Sequence, residues 1–149
     1  MRPWFVLLLL LAGCATGPRW YWKPAAGIGG SATRDIALWS WPETEADIVL
    51  ECDGQNLRIV FVGVVPEPAE AVTLRAGSAT FHGLFAVDPL EDGDGASVIP
   101  VPLDQALVRA IAGGAPTLRF QWAGARSTLA LGPIPARFAR YCLALAAGV

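Results

Sequence analysis

The sequence predicts a mainly β protein, an antiparallel β-sandwich or open barrel with one short helix and a C-terminal helix. Three observations lead to this prediction. Apolar and polar residues alternate with a period of two in short stretches between residues 35 and 131, which is typical of half-buried strands. Gly, Pro and Asp-Gly breaks separate these stretches. Two segments, after residues 103 and 135, instead show the spacing of three and four residues that favours a helix.

The strands predicted in the first half of the chain lie between residues 35 and 87. They are 35 to 41, which Pro42 ends, 48 to 52, 57 to 65, 72 to 75, and a less regular strand from 81 to 87. In the second of these, Ile48, Leu50 and Cys52 share one face. Asp53-Gly54 then forms the short connection of a predicted hairpin.

The second half of the chain adds strands and both helices. An acidic, glycine-bearing loop from 88 to 96 leads to a strand at 97 to 101. Leu103, Leu107 and Ile111 define a helix that Gly113-Gly114 stops. Strands at 118 to 122 and 127 to 131 form a hairpin around Gly124. The terminal helix has Pro135 in its first turn. The residues predicted to share its inner face are Phe138, Tyr141, Cys142 and Leu145.

The N-terminal residues match a bacterial secretory signal, because Arg2 precedes an apolar run. The run ends at four residues that resemble the lipobox of bacterial lipoproteins: Leu11, Ala12, Gly13 and Cys14. The resemblance implies that residues 1 to 13 are removed and that Cys14 is lipidated. The apolar run is far shorter than the roughly 20 residues of a transmembrane helix. Because Ala15 follows the cysteine, the resemblance also implies an outer-membrane anchor with the domain facing the periplasm.

Length and charge restrict the organisation and the partners. Residues 14 to 33 contain many Gly and Pro residues and are predicted to be the lipid anchor and tether, and residues 34 to 149 to be a single β-rich periplasmic domain. The full chain has 11 Lys plus Arg and 13 Asp plus Glu. The arginines are scattered along the sequence, so no basic cluster and no nucleic acid partner are predicted.

The two cysteines that remain beside Cys14 are Cys52 and Cys142. In an oxidising compartment their pairing is the simplest prediction, and it would join the inner face of a strand to the inner face of the last helix. The alternative is two separately buried thiols.

Three aromatic residues, Trp20, Tyr21 and Trp22, follow the lipid site closely. Their amphipathic rings suit the membrane interface. Packing on the domain and stacking on a ligand are the other two hypotheses for this cluster.

No catalytic residue, metal site or cofactor is predicted. His82 is the only histidine, and although Ser78, Thr80 and Asp88 lie near it in sequence, no nucleophile-elbow motif accompanies them. The acidic stretch from 90 to 95 has the tail of a calcium-loop pattern. It lacks the first ligand and the final glutamate of that pattern and is therefore interpreted as a solvated loop.

Two parts of the chain resemble known envelope proteins. Glu51-Cys52-Asp53-Gly54, followed by 57 to 61 and 72 to 74, resembles the opening of the membrane-bound C-type lysozyme inhibitors, small lipoproteins that bond an early strand cysteine to one near the C terminus. The strand from 97, the helix, the hairpin and 135 to 142 resemble invasion-associated locus B type periplasmic β-proteins.

The sequence therefore favours a non-enzymatic envelope lipoprotein that presents a protein-binding or structural β-domain on the periplasmic face of the membrane. The expected partners are the membrane, through the lipid anchor, and an envelope protein. The alternative is a periplasmic inhibitor of lysozyme or a related cell-wall hydrolase. An enzyme that uses His82 and a carrier of a small ligand are further hypotheses.

Overall fold

The computed structural model describes residues 19–24, 35–40, 48–62, 69–88 and 96–148. Its elements in chain order are β1 (Arg19–Pro24), β2 (Asp35–Ser40), β3 (Ile48–Cys52), β4 (Asn56–Phe61), β5 (Ala71–Ala76), β6 (Ala79–Leu84), β7 (Ala86–Asp88), β8 (Ala96–Pro102), α1 (Ala106–Ala112), β9 (Thr117–Trp122), β10 (Ala125–Ala130) and α2 (Pro133–Ala146).

The strands form two antiparallel sheets that are not closed into a barrel. The six-stranded sheet has the order β1-β2-β3-β4-β8-β7, and the four-stranded sheet has the order β10-β9-β5-β6. The predicted mainly β fold with a C-terminal helix is thus confirmed, and of the two predicted architectures the sandwich is the one observed.

The core lies between the sheets and is completed by the helices. Period-two alternation turns Leu50 and Ile59 of one sheet and Leu74 of the other inward, and each is at most 1% exposed. The ring centroids of Phe61 in β4 and Phe120 in β9 are 5.2 Å apart in an edge-on contact, so the sheets touch directly. Buried residues of α1 and α2 belong to the same apolar cluster.

A disulfide bond connects the six-stranded sheet to the last helix. Cys52 at the end of β3 is bonded to Cys142 of α2, with their Cα atoms 5.7 Å apart. Both side chains are buried, at 4% and 0% exposed. The predicted pairing is confirmed, and it fixes α2 against the inner face of β3.

The connection between β3 and β4 is held by the Asp53 carboxylate. It accepts hydrogen bonds from the backbone N–H groups of Gln55 (2.9 Å) and Asn56 (2.6 Å) and from Asn56 Nδ2 (3.0 Å). Desolvation alone would raise the pKa of Asp53, but these bonds and the charge of Arg58 outweigh it and lower the pKa. Asp53 therefore stays ionised in the turn that sets the register of the hairpin.

Six residues of the predicted tether form a strand. Arg19–Pro24, placed in the tether from 14 to 33, forms β1 and pairs with β2 along its whole length. The Gly and Pro residues around this segment argue only against a central strand, whereas β1 is an edge strand, where proline is tolerated. The rest of the predicted tether, the lipobox and Cys14 lie outside the described residues.

Two other predictions change in detail. The irregular strand from 81 to 87 is two strands in different sheets, β6 and β7, and the buried ring of Phe85 lies at the corner between them. The corner breaks the period-two pattern because the chain changes sheets there. Leu145, expected on the inner face of α2, is 41% exposed, since the last turn of α2 extends past the core.

We expect the disulfide to contribute a large part of the stability. Replacing both Cys52 and Cys142 with serine should lower the free energy of unfolding by about 4 kcal/mol, because the bond closes a loop of 90 residues in the unfolded chain. Urea unfolding of the double variant and of the wild type measures this difference. The serines of the double variant also bury two hydroxyl groups, so the control is the wild-type protein with its disulfide reduced. An unchanged urea midpoint after reduction would contradict the prediction.

Candidate functional site

The two sheets differ in their outer faces. On the six-stranded sheet, the outward residues Val49, Val60 and Val98 are buried in a second apolar cluster. On the four-stranded sheet, by contrast, most outward residues are exposed and polar. The outer face of the four-stranded sheet is therefore the open side of this sandwich.

We call this surface the arginine face. Its polar residues, at outward positions of β5, β6, β9 and β10, are Thr73, Arg75, Thr80, His82, Thr117, Arg119, Gln121, Arg126 and Thr128. The apolar Ala71, Leu84 and Ala130 share this face, and Leu84 is 55% exposed. They alternate with buried inward residues such as Leu74, Leu118 and Leu129. This alternation puts the three arginines on one side of the sheet, whereas Ser127 of β10 lies at an inward position opposite Phe120.

The strand register places like charges directly opposite each other. Arg75 of β5 and Arg119 of β9 are paired positions, so their Cβ atoms are roughly 5 Å apart. On the far side of β9, β10 adds Arg126 beside Gln121. The four strands contain these three arginines and no aspartate or glutamate. The result is a local concentration of positive charge on a chain whose net charge is −2.

The arginines border a groove. Its volume is about 470 Å³, and its lining residues include Thr73, Arg75, Arg119, Gln121, Arg126 and Thr128. A second depression of about 300 Å³ lies beside Gly77 and Pro116. The pair Arg75 and Arg119 lines both depressions and therefore stands between them.

A tight turn holds this arrangement in register. Ala123 and Gly124 both have positive φ, 40° and 76°, as a type I′ hairpin requires. The turn places Arg126 opposite Gln121 and Thr128 opposite Arg119. The geometry of the groove is thus set by strands on a packed core and not by a loop.

Within the described part of the chain, the arginines of this face are not neutralised. The ion pair found there is that of Arg58 with Glu51, at 3.2 Å, on the opposite sheet. Two exposed arginines elsewhere instead donate to backbone carbonyls: Arg109 to Asp104 and Arg140 to Ala112. The guanidinium groups of Arg75, Arg119 and Arg126 are therefore available to an external oxyanion.

His82 lies on the arginine face, opposite Thr73 of β5. Its ring is exposed, and Nδ1 is 3.1 Å from the Thr73 hydroxyl on the neighbouring strand. This cross-strand contact is the partner that the structure gives it. The Asp88 side chain, the acidic partner considered from the sequence, lies outside the described residues.

The aromatic residues near the predicted lipid site are divided between two environments. Trp20 is 7% exposed, and its Nε1 donates to the carbonyl of Ala130 at 3.0 Å, so its indole packs on the domain. Trp22 is half-buried against Phe138 and Tyr141, with ring centroids 5.3 and 5.5 Å away. Tyr21 is also half-buried. Both tryptophans thus contact the domain, and a contact of this cluster with the membrane interface stays a prediction.

In the described ranges, no group of three metal-ligating side chains comes together, and no helix has the length and hydropathy to cross a membrane. The acidic stretch from 90 to 95 lies outside those ranges.

The sequence did not reveal the arginine face. The scatter of arginines along the sequence predicts no basic cluster, and this prediction is wrong for Arg75, Arg119 and Arg126. These residues are brought together by the pairing of β5 with β9, which lie far apart in the chain. The signal available beforehand was the alternation of Arg and Gln with Leu and Phe in the strand from 118 to 122.

The like-charge pair should weaken the fold. We expect Arg119→Thr to raise the free energy of unfolding by a few tenths of a kcal/mol, because it removes a cross-strand repulsion while keeping a residue suited to strands. The matched control is Arg58→Thr, which breaks the ion pair with Glu51. This variant should lower the free energy of unfolding by about 0.5 kcal/mol. Urea unfolding at low and high salt measures both, and the gain from Arg119→Thr should vanish at high salt. A loss of stability in both variants would contradict the prediction.

The chemical capacity of the arginine face follows from its own residues: three guanidinium groups with forked donors, flanked by hydroxyl and amide groups, suit carboxylate or phosphate oxygens. No protein-family model, curated protein or solved structure matches this chain.

Proposed function

We propose that this protein is a non-enzymatic cell-envelope lipoprotein, anchored through Cys14 to the outer membrane and facing the periplasm, whose β-sandwich binds an envelope protein through the arginine face. The observation that carries the proposal is the concentration of unneutralised arginines on the open sheet of an otherwise acidic chain.

Two features of the fold support the envelope part of the proposal. The Cys52–Cys142 bond suits a compartment in which disulfides form and persist. The first strand that the structure describes, β1, also starts close behind the proposed lipid site, at Arg19. Five residues span at most about 18 Å, so the anchor would hold the domain near the membrane surface.

The attachment of β1 to β10 would restrict the orientation of the domain relative to its lipid anchor. The hydrogen bond from Trp20 to Ala130 ties the first strand to β10, which also carries Arg126 and Thr128 of the arginine face. A partner bound there would therefore be held in the layer of periplasm next to the membrane.

The partner is identified by cross-linking the epitope-tagged, membrane-anchored protein in its own cells and identifying the captured proteins by mass spectrometry. We expect a reproducible envelope protein that is lost from the variant with Arg75→Gln and Arg119→Gln, because the two guanidinium groups provide the contact. The variant with Arg109→Gln and Arg137→Gln, which makes the same charge change on the helices, should retain it. Capture that is equal in both variants would contradict a role for the arginine face.

The same experiment separates the two functions considered from the sequence. Recovery of a lysozyme or another cell-wall hydrolase would favour the inhibitor alternative. The lysozyme inhibitors that the sequence resembles bond an early strand cysteine to one near the C terminus, and the Cys52–Cys142 bond is the feature of this chain that matches them.

The lipid anchor is tested by fractionation. Cys14→Ser should shift the protein from the membrane fraction to the soluble fraction or leave it unprocessed at its N terminus, because the acyl chains supply the anchoring energy, about 0.8 kcal/mol per buried methylene. Gel mobility and metabolic labelling with a fatty acid measure processing and acylation. A processed, labelled Cys14→Ser protein in the membrane fraction would contradict the assignment of Cys14.

A further inference from the structure

We propose that the ligand of the arginine face is a short acidic segment of the partner protein, with two carboxylates seated on the pair formed by Arg75 and Arg119. This inference rests on the proposed function and specifies the chemistry of its binding surface.

The first argument is the repulsion between Arg75 and Arg119 when no ligand is bound. Opposite charges face each other on the outer side of the six-stranded sheet, where Glu51 and Arg58 are paired positions. On the four-stranded sheet the corresponding cross-strand pair is Arg75 and Arg119, with like charges. Such a pair destabilises a sheet unless an anion lies between the two cations. Carboxylates bound at this position offset the repulsion and make charge-assisted contacts with both guanidinium groups.

The second argument is the donor set around the pair. Each guanidinium presents planar, forked N–H donors that match both oxygens of a carboxylate. Thr73, Gln121 and Thr128 line the same groove and add hydroxyl and amide groups. These groups can hydrogen-bond the backbone of an extended peptide as well as its side chains. A peptide therefore uses more of the lining than an isolated anion does.

The third argument is the shape of the surface. The arginine pair lies between a groove of about 470 Å³ and a depression of about 300 Å³. A single small anion would fill one of these and leave the other open. A segment of several residues crosses the pair and enters both.

Charge distinguishes a peptide segment from an anionic membrane surface. The full chain carries a net charge of −2, and removal of Arg2 with the signal makes it about −3. An extended anionic surface interacts with every charged group of the domain that lies within roughly one Debye length of it. It therefore repels the acidic parts of the domain. A short acidic segment meets the arginine face alone. The acidic protein segment is therefore the occupant that the charge distribution favours.

The test uses the full chain in neutral detergent and a fluorescein-labelled peptide that carries several glutamates separated by serines. The matched control is the same peptide with glutamine at every glutamate position. Fluorescence anisotropy measures the dissociation constant. We expect the glutamate peptide to bind at least about tenfold more tightly than the glutamine peptide, and its binding to weaken as salt is raised.

Variants locate the binding on the surface. Arg75→Gln with Arg119→Gln should weaken binding of the glutamate peptide by about tenfold or more. The control variant carries Arg109→Gln and Arg137→Gln and has the same net charge as the first variant. It should change binding of the glutamate peptide by less than about twofold, since long-range electrostatic effects are screened. Thermal unfolding of the first variant should show no loss of stability, which excludes misfolding as the cause.

Several outcomes would overturn the inference: equal binding of the two peptides, equal loss in the two double variants, or tighter binding of inorganic phosphate than of the glutamate peptide. The chain is also measured in nanodiscs of phosphatidylcholine and of phosphatidylglycerol. Loss of peptide binding only in the anionic discs would assign the arginine face to lipid headgroups instead.

The test separates this inference from the proposed function. If cross-linking captures a protein through Arg75 and Arg119 but the glutamate peptide does not bind, the binding surface stands and the acidic ligand is wrong. If the peptide binds through the pair but no envelope protein is captured in cells, the acidic chemistry stands and the proposed function fails.

Discussion

The bond between Cys52 and Cys142 is the constraint on which the rest of the structure depends. It fixes α2 to β3 and so joins the C-terminal end of the chain to the six-stranded sheet. Because α2 follows β10 after two residues, the same bond restrains the edge of the four-stranded sheet. Helix α2 also carries Phe138 and Tyr141, against which Trp22 of β1 packs. The first strand, the last helix and both sheets are thus held in one arrangement.

Strand register gives the two outer faces different electrostatic characters. The pairing of β3 with β4 places Glu51 opposite Arg58, and the two charges neutralise each other. The pairing of β5 with β9 places Arg75 opposite Arg119, and the charges add. Both pairs occupy directly opposite positions of antiparallel strands, and they differ in the charges of their side chains. A face that keeps an unfavourable pair on rigid strands is preorganised for an anion, because no side chain has to leave an internal partner before binding.

The sequence predicted most of the elements because their signals are local. Alternation in β3, β5 and β9 and the spacing of Leu107 and Ile111 reflect burial on one side, which each segment shows by itself. The disulfide was predictable because few cysteines were available to pair. β1 was not predicted as a strand, because an edge strand tolerates the Pro and Gly residues that argue against a central one. The switch from β6 to β7 was missed since the corner at Phe85 interrupts the pattern.

The arginine face lies beyond local signals for a different reason. Arg75 and Arg119 become neighbours only through the order β10-β9-β5-β6, in which β5 pairs with both β6 and the much later β9. Each arginine alone looks like the polar half of an ordinary strand. The three arginines of this face, with no carboxylate in the same four strands, together create an electrostatic field that a single surface arginine does not. The property that specifies a ligand therefore arises from the topology, and the acidic character of the whole chain restricts where on the domain an anionic ligand can bind.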